Sequence, residues 1–200
     1  MDRRTFLKDA GALTVSAAAL AVAAPIDTSS LASDRARIGA VLFDGRYSSC
    51  RAFADALARG GAVAFDVRAD VAALWYGPLR DHLAKYGGGV AGLATDSDFV
   101  VSESFGRQFR LSLRYAGSHD SRRSAALIHE LRSLQGVAAI ASAVRHADSN
   151  WGEAIGYALA RARSAEPARQ WESAVVHTSQ IDDHPGFLRS WLGGASDRRC

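Results

Sequence analysis

One unit near the start of the folded region constrains this chain more than any other. "RIGAVLFD" (37–44) is an unbroken apolar run closed by a polar residue. A run without alternation suits a strand buried on both faces, as strands of parallel sheets are. "SSCRAFADALARGG" follows, with Phe53, Ala54 and Leu57 at helical spacing, Ser48 or Ser49 able to cap, and Gly60-Gly61 as a stop. "AVAFDV" (62–67) then reads as a second short buried strand. Strand, helix and strand in that order form a crossover unit, and such units are right-handed.

The alternation continues. "GPLRDHLAKYGGG" predicts a short helix with Pro78 in its first turn and Gly87 at its end, and "VAGLAT" (90–95) a third strand. "DSDFVVSESFGRQF" predicts a helix despite Gly106. In "RLSLRYAG" (110–117), Leu111, Leu113 and Tyr115 alternate with polar residues, which points to a fourth strand at the sheet edge. Beyond it the pattern reads as mainly helical. Leu127, Leu131, Leu134, Ala138 and Ala141 recur at three- and four-residue steps over 122–146, with Gly136 a weak point. Asn150 to Glu153 resembles a capping box opening a helix that runs to about Arg163. "SAVVHTS" (173–179) is expected as a fifth strand and "PGFLRSWL" as a short final helix. The expected fold is α/β: a three-layer, doubly wound, mainly parallel sheet of four to five strands with a helical C-terminal part. It occupies 37–200 as one domain.

The first residues belong to something else. Residues 1–25, "MDRRTFLKDAGALTVSAAALAVAAP", combine a basic head, an apolar stretch from Ala10 to Ala24, and small residues Ala21-Val22-Ala23 suited to cleavage after Ala23. The stretch of 15 residues is shorter than the roughly 20 that span a bilayer. Arg3, Arg4, Phe6, Leu7 and Lys8 stand in the register of the twin-arginine export motif, with Asp2 where that pattern prefers Ser or Thr. The segment therefore resembles the signals of twin-arginine (Tat) exported bacterial proteins. That resemblance covers residues 1–23 and implies a periplasmic location, transport after folding by the twin-arginine translocation machinery, and cargo that carries a cofactor or travels with a partner. Residues 24–36 read as a polar linker, and no transmembrane span is expected after cleavage.

Charge narrows the partners. Residues 1–23 hold three of the 24 basic and two of the 21 acidic residues, so the remaining 177 carry a net charge of +2. Nearly all the basic residues are arginines, and none form a cluster interleaved with aromatics, so nucleic acid is not an expected partner. Cys50 and Cys200 can pair in an oxidising compartment, within one chain or between two, and the sequence leaves this open.

Candidate chemistry is sought beyond the carboxyl ends of the strands, where the strand order reverses. After the first strand, Asp44 is followed by Arg46, Ser48 and Ser49, whose helix start can hold an anion. A single glycine there fits neither dinucleotide nor phosphate-loop patterns. After the third strand, Thr95, Asp96 and Ser97 would face Asp44 across the reversal, pairing two carboxylates for a cation or a shared proton. Helix capping explains the same residues equally simply. After the fourth strand, His119 beside Asp120 is the best general-base candidate. Asp44, Asp96 and His119 are thus the candidate catalytic set, and Arg46, Ser48, Ser49, Thr95 and Ser97 the candidate ligand-binding set. His177 is a weaker base candidate, Cys50 reads as structural, and the four tryptophans read as core. The six histidines show no metal-ligand spacing, so no metal is expected. No residue marks a cofactor, which stays unknown.

Three functions fit. The first is an exported accessory or small-ligand-binding protein, in which either the crevice near Asp44 and Asp96 holds a small molecule or an exposed helical face docks an exported oxidoreductase. The second is a periplasmic hydrolase built on Asp44, Asp96 and His119. The third is a redox protein with a noncovalent flavin.

Overall fold

A computed structural model describes residues 37–68, 70–122, 124–134, 136–161, 170–179 and 183–195. The export signal, its cleavage point, the linker and Cys200 lie outside the described residues.

The chain is α/β, built on one seven-stranded sheet: β1 (Ile38–Phe43), β2 (Val63–Asp66), β3 (Gly89–Ala94), β4 (Leu111–Asp120), β5 (Leu127–Ser133), β6 (Glu172–Thr178) and β7 (Phe187–Ala195). Their order is β2-β1-β3-β7-β4-β5-β6. β2, β1 and β3 run parallel, whereas β7, β4, β5 and β6 pair antiparallel with their neighbours. The sheet is therefore mixed, with more strands than expected and without the mainly parallel pairing.

The helices are α1 (Ser48–Arg59), α2 (Val71–Tyr76), α3 (Pro78–Tyr86), α4 (Asp96–Gln108), α5 (Val137–Ala147) and α6 (Trp151–Arg161). α1, α5 and α6 bury Phe53, Ile140 and Ile155 on one face of the sheet against Val41, Leu93 and Leu131. α2, α3 and α4 bury Trp75, Leu79 and Phe99 on the other face against Leu42, Val90 and Trp191. α6 lies close on α1 because it presents glycines there. A Cβ at Gly152 would strike the Ser49 carbonyl, and one at Gly156 would sit 2.8 Å from the Phe53 carbonyl oxygen.

Three readings of the sequence are corrected. Residues 122–146 are not one helix: β5 precedes α5, and Gly136, with φ 63°, is the left-handed N-cap of α5. A four-residue leucine step fits a strand as well as a helix, since four is a multiple of two. "PGFLRSWL" is not a helix but the start of β7, whose Leu188 and Trp191 are both buried, on opposite faces. β4 is not an edge strand but lies between β7 and β5. Its alternation arises because a register shift between Leu113 and Tyr115 turns the leucines to one face and Tyr115 to the other.

The pairing brings the C-terminal ends of β1 to β4 and of β6, and the N-terminal ends of β5 and β7, to one edge. α1 leaves that edge on one face and α4 on the other, so the winding reverses between β1 and β3, where the sequence pattern would place it.

Candidate functional site

At the reversal, Asp44 is fully buried and its carboxylate is already committed. Arg46 Nε donates at 2.9 and 3.1 Å and Nη2 at 2.5 Å, and the Arg46 amide adds a fourth bond. The guanidinium beside Asp44 is in turn held charged, its pKa raised by that bond. Across the crevice, Thr95 caps α4, with its hydroxyl 2.6 Å from Asp98 and 3.0 Å from Ser97. Asp96 accepts from Arg189 Nε at 2.8 Å. Asp44 and Asp96 are held by separate arginines and share no partner.

The start of α1 also differs from expectation. Its N-cap residue, Tyr47, makes no side-chain cap bond, and Ser48 is the first helical residue. The cap arrives from far along the chain: Asp183 accepts from the Ser48 amide at 2.5 Å and from the Ser48 hydroxyl at 2.8 Å. An anion does sit on this helix start, and it is the protein's own carboxylate. Cys50, in the first turn, is fully buried and has no disulfide partner among the described residues. Burial pushes its thiol pKa up and outweighs the helix dipole, so it is no thiolate nucleophile.

His119 lies elsewhere. β1 and β4 are three strand spacings apart, about 14 Å between backbones. His119 faces α6, and both ring nitrogens are engaged: Nδ1 lies 2.7 Å from His129 Nδ1 and Nε2 2.8 Å from Ser190 Oγ. The chain extends to Tyr115 Oη, 2.8 Å from Ser190, and to Thr178 Oγ1, 2.8 Å from His129 Nε2. The Thr178 hydroxyl donates to the Ser179 carbonyl at 3.4 Å. With that proton spent, His129 Nε2–H must donate to Thr178, leaving His129 Nδ1 as acceptor. His119 Nδ1–H then donates to it, Ser190 donates to His119 Nε2, and Tyr115 donates to Ser190. Every hydroxyl and ring nitrogen in this line is satisfied in one direction only, and both imidazoles are neutral.

Burial, with the neighbouring His129 and His184 adding to it, holds the His119 pKa well below the usual histidine range. Burial likewise lowers His129 to about 3. His119 therefore does not titrate near neutrality as a general base would, because its surroundings disfavour the charged ring.

Trp151 packs against this chain, its ring centroid 4.4 Å from that of His119 and 5.0 Å from that of His129, with the His184 ring at 6.2 Å. Among the described residues, the buried ring nitrogens Trp151 Nε1 and His184 Nε2 have no hydrogen-bond partner, and Ser49 Oγ has only the weak Cys50 thiol. The sequence reading named Ser49 but missed His129, Trp151, Asp183, His184 and Ser190. The strand pairing that sets His119 opposite His129 makes the histidine pair visible, and the others are brought in by β7, α6 and the residues before β7.

Two clefts lie apart from this cluster. One, of about 280 Å³, opens on the opposite sheet face between Asp120, Arg122, Glu130, Phe187 and Arg189. The other, of about 390 Å³, lies at the far edge of the sheet, where Gly87 and Gly88 form a wall. His177 is exposed on β6. Of the tryptophans, Trp75, Trp151 and Trp191 are core, whereas Trp171 is 38% exposed beside Arg132. Among the described residues, no group of three or more His, Cys, Asp or Glu is placed to hold a metal ion, and no helix is long and apolar enough to cross a membrane.

Compared with known protein families, curated proteins and solved structures, the chain matches none.

Proposed function

We propose that this protein is exported to the periplasm through the twin-arginine route and acts there as a small-ligand-binding accessory protein, serving an exported oxidoreductase as its partner. The route rests on Arg3, Arg4, Phe6, Leu7 and Lys8 standing in the register of the export motif. The binding role rests on one observation: Asp44 and His119, the two buried members of the candidate catalytic set, are engaged by internal partners, and the half-exposed Asp96 is paired with Arg189. Asp44 is held by Arg46, Asp96 by Arg189, and His119 by His129 and Ser190. A hydrolytic water needs a base within hydrogen-bond reach. Side chains locked in such pairs serve better as a rigid frame than as reacting groups. The polar atoms left over, Ser49 Oγ, Trp151 Nε1 and His184 Nε2, are binding atoms rather than nucleophile and base.

Native mass spectrometry of the full chain, purified from the periplasmic fraction of its expressing cells, tests both halves. We expect a bound small molecule or a companion protein. A bare monomer would remove the binding role, and export that persists after Arg3→Lys and Arg4→Lys together would remove the route.

A further inference from the structure

Where the α2–α4 layer ends, the sheet keeps a charged cleft open. Phe99 of α4 packs against Trp191, and beyond it no helix among the described residues covers β5 on this face. The pairing register fixes which side chains line up there. Arg189, Ser118 and Glu130 stand opposite one another across β7, β4 and β5, and Phe187, Asp120 and Ile128 form the next row on the same face. Arg189 and Glu130 are two strand spacings apart, about 10 Å between backbones, with only the short Ser118 between them. With Arg122, these two rows line the cleft of about 280 Å³.

Its charges are committed unequally. Arg122 binds Asp120 with both prongs of its fork, Nε and Nη2 each donating at 3.0 Å, so that pair is neutral. Arg189 is steadied without being used up. Its Nε donates to Asp96 at 2.8 Å, and its Cζ lies 5.3 Å from the ring centres of both Phe99 and Phe187. That bond is its one side-chain hydrogen bond among the described residues, so both Nη groups keep their protons to donate. A guanidinium fixed in this way suits a carboxylate. Glu130 has the opposite need. Among the described residues it accepts one side-chain bond, at 3.4 Å from Ser118, and no cation pairs with it. Its other cross-strand neighbour is Val175.

We propose that this cleft binds a small apolar α-amino acid as its zwitterion, with the carboxylate on the Nη groups of Arg189, the ammonium on Glu130 and the side chain over Phe187 and Ile128. The proposal rests on the small-ligand-binding role argued above and gives it a ligand class and a place on the other face of the sheet from Trp151. A phosphate or a dicarboxylate would set its second negative charge against Glu130. A simple amine would leave Arg189 without an acceptor. Size agrees with charge: the cleft falls just below the roughly 300–1,000 Å³ of pockets for drug-sized ligands, which suits a molecule as small as an amino acid.

Calorimetric titration of the full chain with L-leucine tests this, and we expect saturable one-to-one binding. N-acetyl-L-leucine lacks the ammonium and L-leucinamide lacks the carboxylate, and each should bind about tenfold more weakly for the loss of one charged contact. Glu130→Gln should weaken L-leucine about tenfold and leave N-acetyl-L-leucine unchanged. Because Glu130 is exposed, this variant keeps the fold. Arg189→Gln should weaken L-leucine and leave L-leucinamide unchanged. No binding of L-leucine, equal binding of L-leucine and its two blocked forms, or wild-type affinity in Glu130→Gln would each overturn the proposal. Should Arg189→Gln fail to fold, Glu130→Gln and the blocked forms decide. The native mass measurement detects any molecule or companion carried from the cell, so it judges the binding role separately from this ligand class.

Discussion

The two halves of the sheet solve the same problem differently. In β1 and β3, adjacent residues are buried on opposite faces: Val41 packs under α1 and Leu42 under the α2–α4 layer, and all six residues of β3 are buried. In β5, burial alternates. Leu127, His129, Leu131 and Ser133 point to the α5–α6 side, while Glu130 and Arg132 are exposed. No helix among the described residues packs on that second face of β5 and β6, where Val175 is 58% exposed. The contrast shows where polar chemistry can be buried. β1 and β3 carry only small and apolar side chains, whereas the polar line starts on the central strands β4 and β7 with Tyr115, His119 and Ser190 and ends on the covered face of the one-sided strands β5 and β6 with His129 and Thr178.

The largest expected effect tests the two-sided half. Leu42→Ala should lose about 3 kcal/mol of stability through lost transfer energy and the cavity left behind. Val41→Ala, one residue away on the other face, should lose about 2 kcal/mol. Urea unfolding of both variants measures this. Should either lose less than about 0.5 kcal/mol, β1 is not packed on both sides and the contrast breaks.

The same contrast explains what the sequence discloses. Strands β1 and β3 and the winding reversal were legible because a two-sided strand has one readable signature, an unbroken apolar run; β2 was found as a strand but is not the buried one expected, since it lies at the sheet edge with Val63 and Ala64 exposed. β5 was not, because its buried face carries His129 and Ser133 between leucines, so polar and apolar residues no longer sort by face. β7 was not, because nine residues buried partly on both sides lack any period, and Pro185 before them imitates a helix start. At the site, Asp44, Arg46 and Ser48 were found because they follow a strand end in sequence. Asp183 reaches Ser48 across 135 positions, and only folding reveals that.

The next effect, about half as large for each pH unit, tests the polar line that ends on the one-sided strands. Unfolded, His119 and His129 take up protons below pH 6.5; folded, His129 resists down to about 3 and His119 stays neutral well below 6.5. Over that window the unfolded chain binds more protons, so stability must fall as the pH falls. One such histidine contributes about 1.4 kcal/mol per pH unit. Protonating His129 would also set two N–H groups against each other at the Nδ1–Nδ1 contact, and protonating His119 at Nε2 would set its new N–H against the Ser190 hydroxyl proton. Replacing both rings, His119→Leu with His129→Leu, removes the two titrating partners together and should flatten this limb of the stability profile. An unchanged slope in the double variant would show that the buried line is not the source of acid sensitivity.

The smallest effect sharpens the comparison from the open side. Glu130 and Leu131 are neighbours in β5, one exposed and one fully buried. Leu131→Ala should cost about 3 kcal/mol, as in β1. Glu130→Ala should stay within about 0.5 kcal/mol, because its one side-chain bond, accepted from Ser118 at 3.4 Å, is long and part-exposed. Val175→Thr on the neighbouring strand should be equally mild, since a methyl already in water loses little when it becomes a hydroxyl. The three variants separate one-sided from two-sided packing within a single strand pair, by urea midpoint at constant slope. A loss of 2 kcal/mol or so at Glu130 or Val175 would place that face against another part of the molecule or a second copy. The sheet would then be covered on both sides throughout, and alternation along β5 would record charge tolerance at an interface rather than exposure to water.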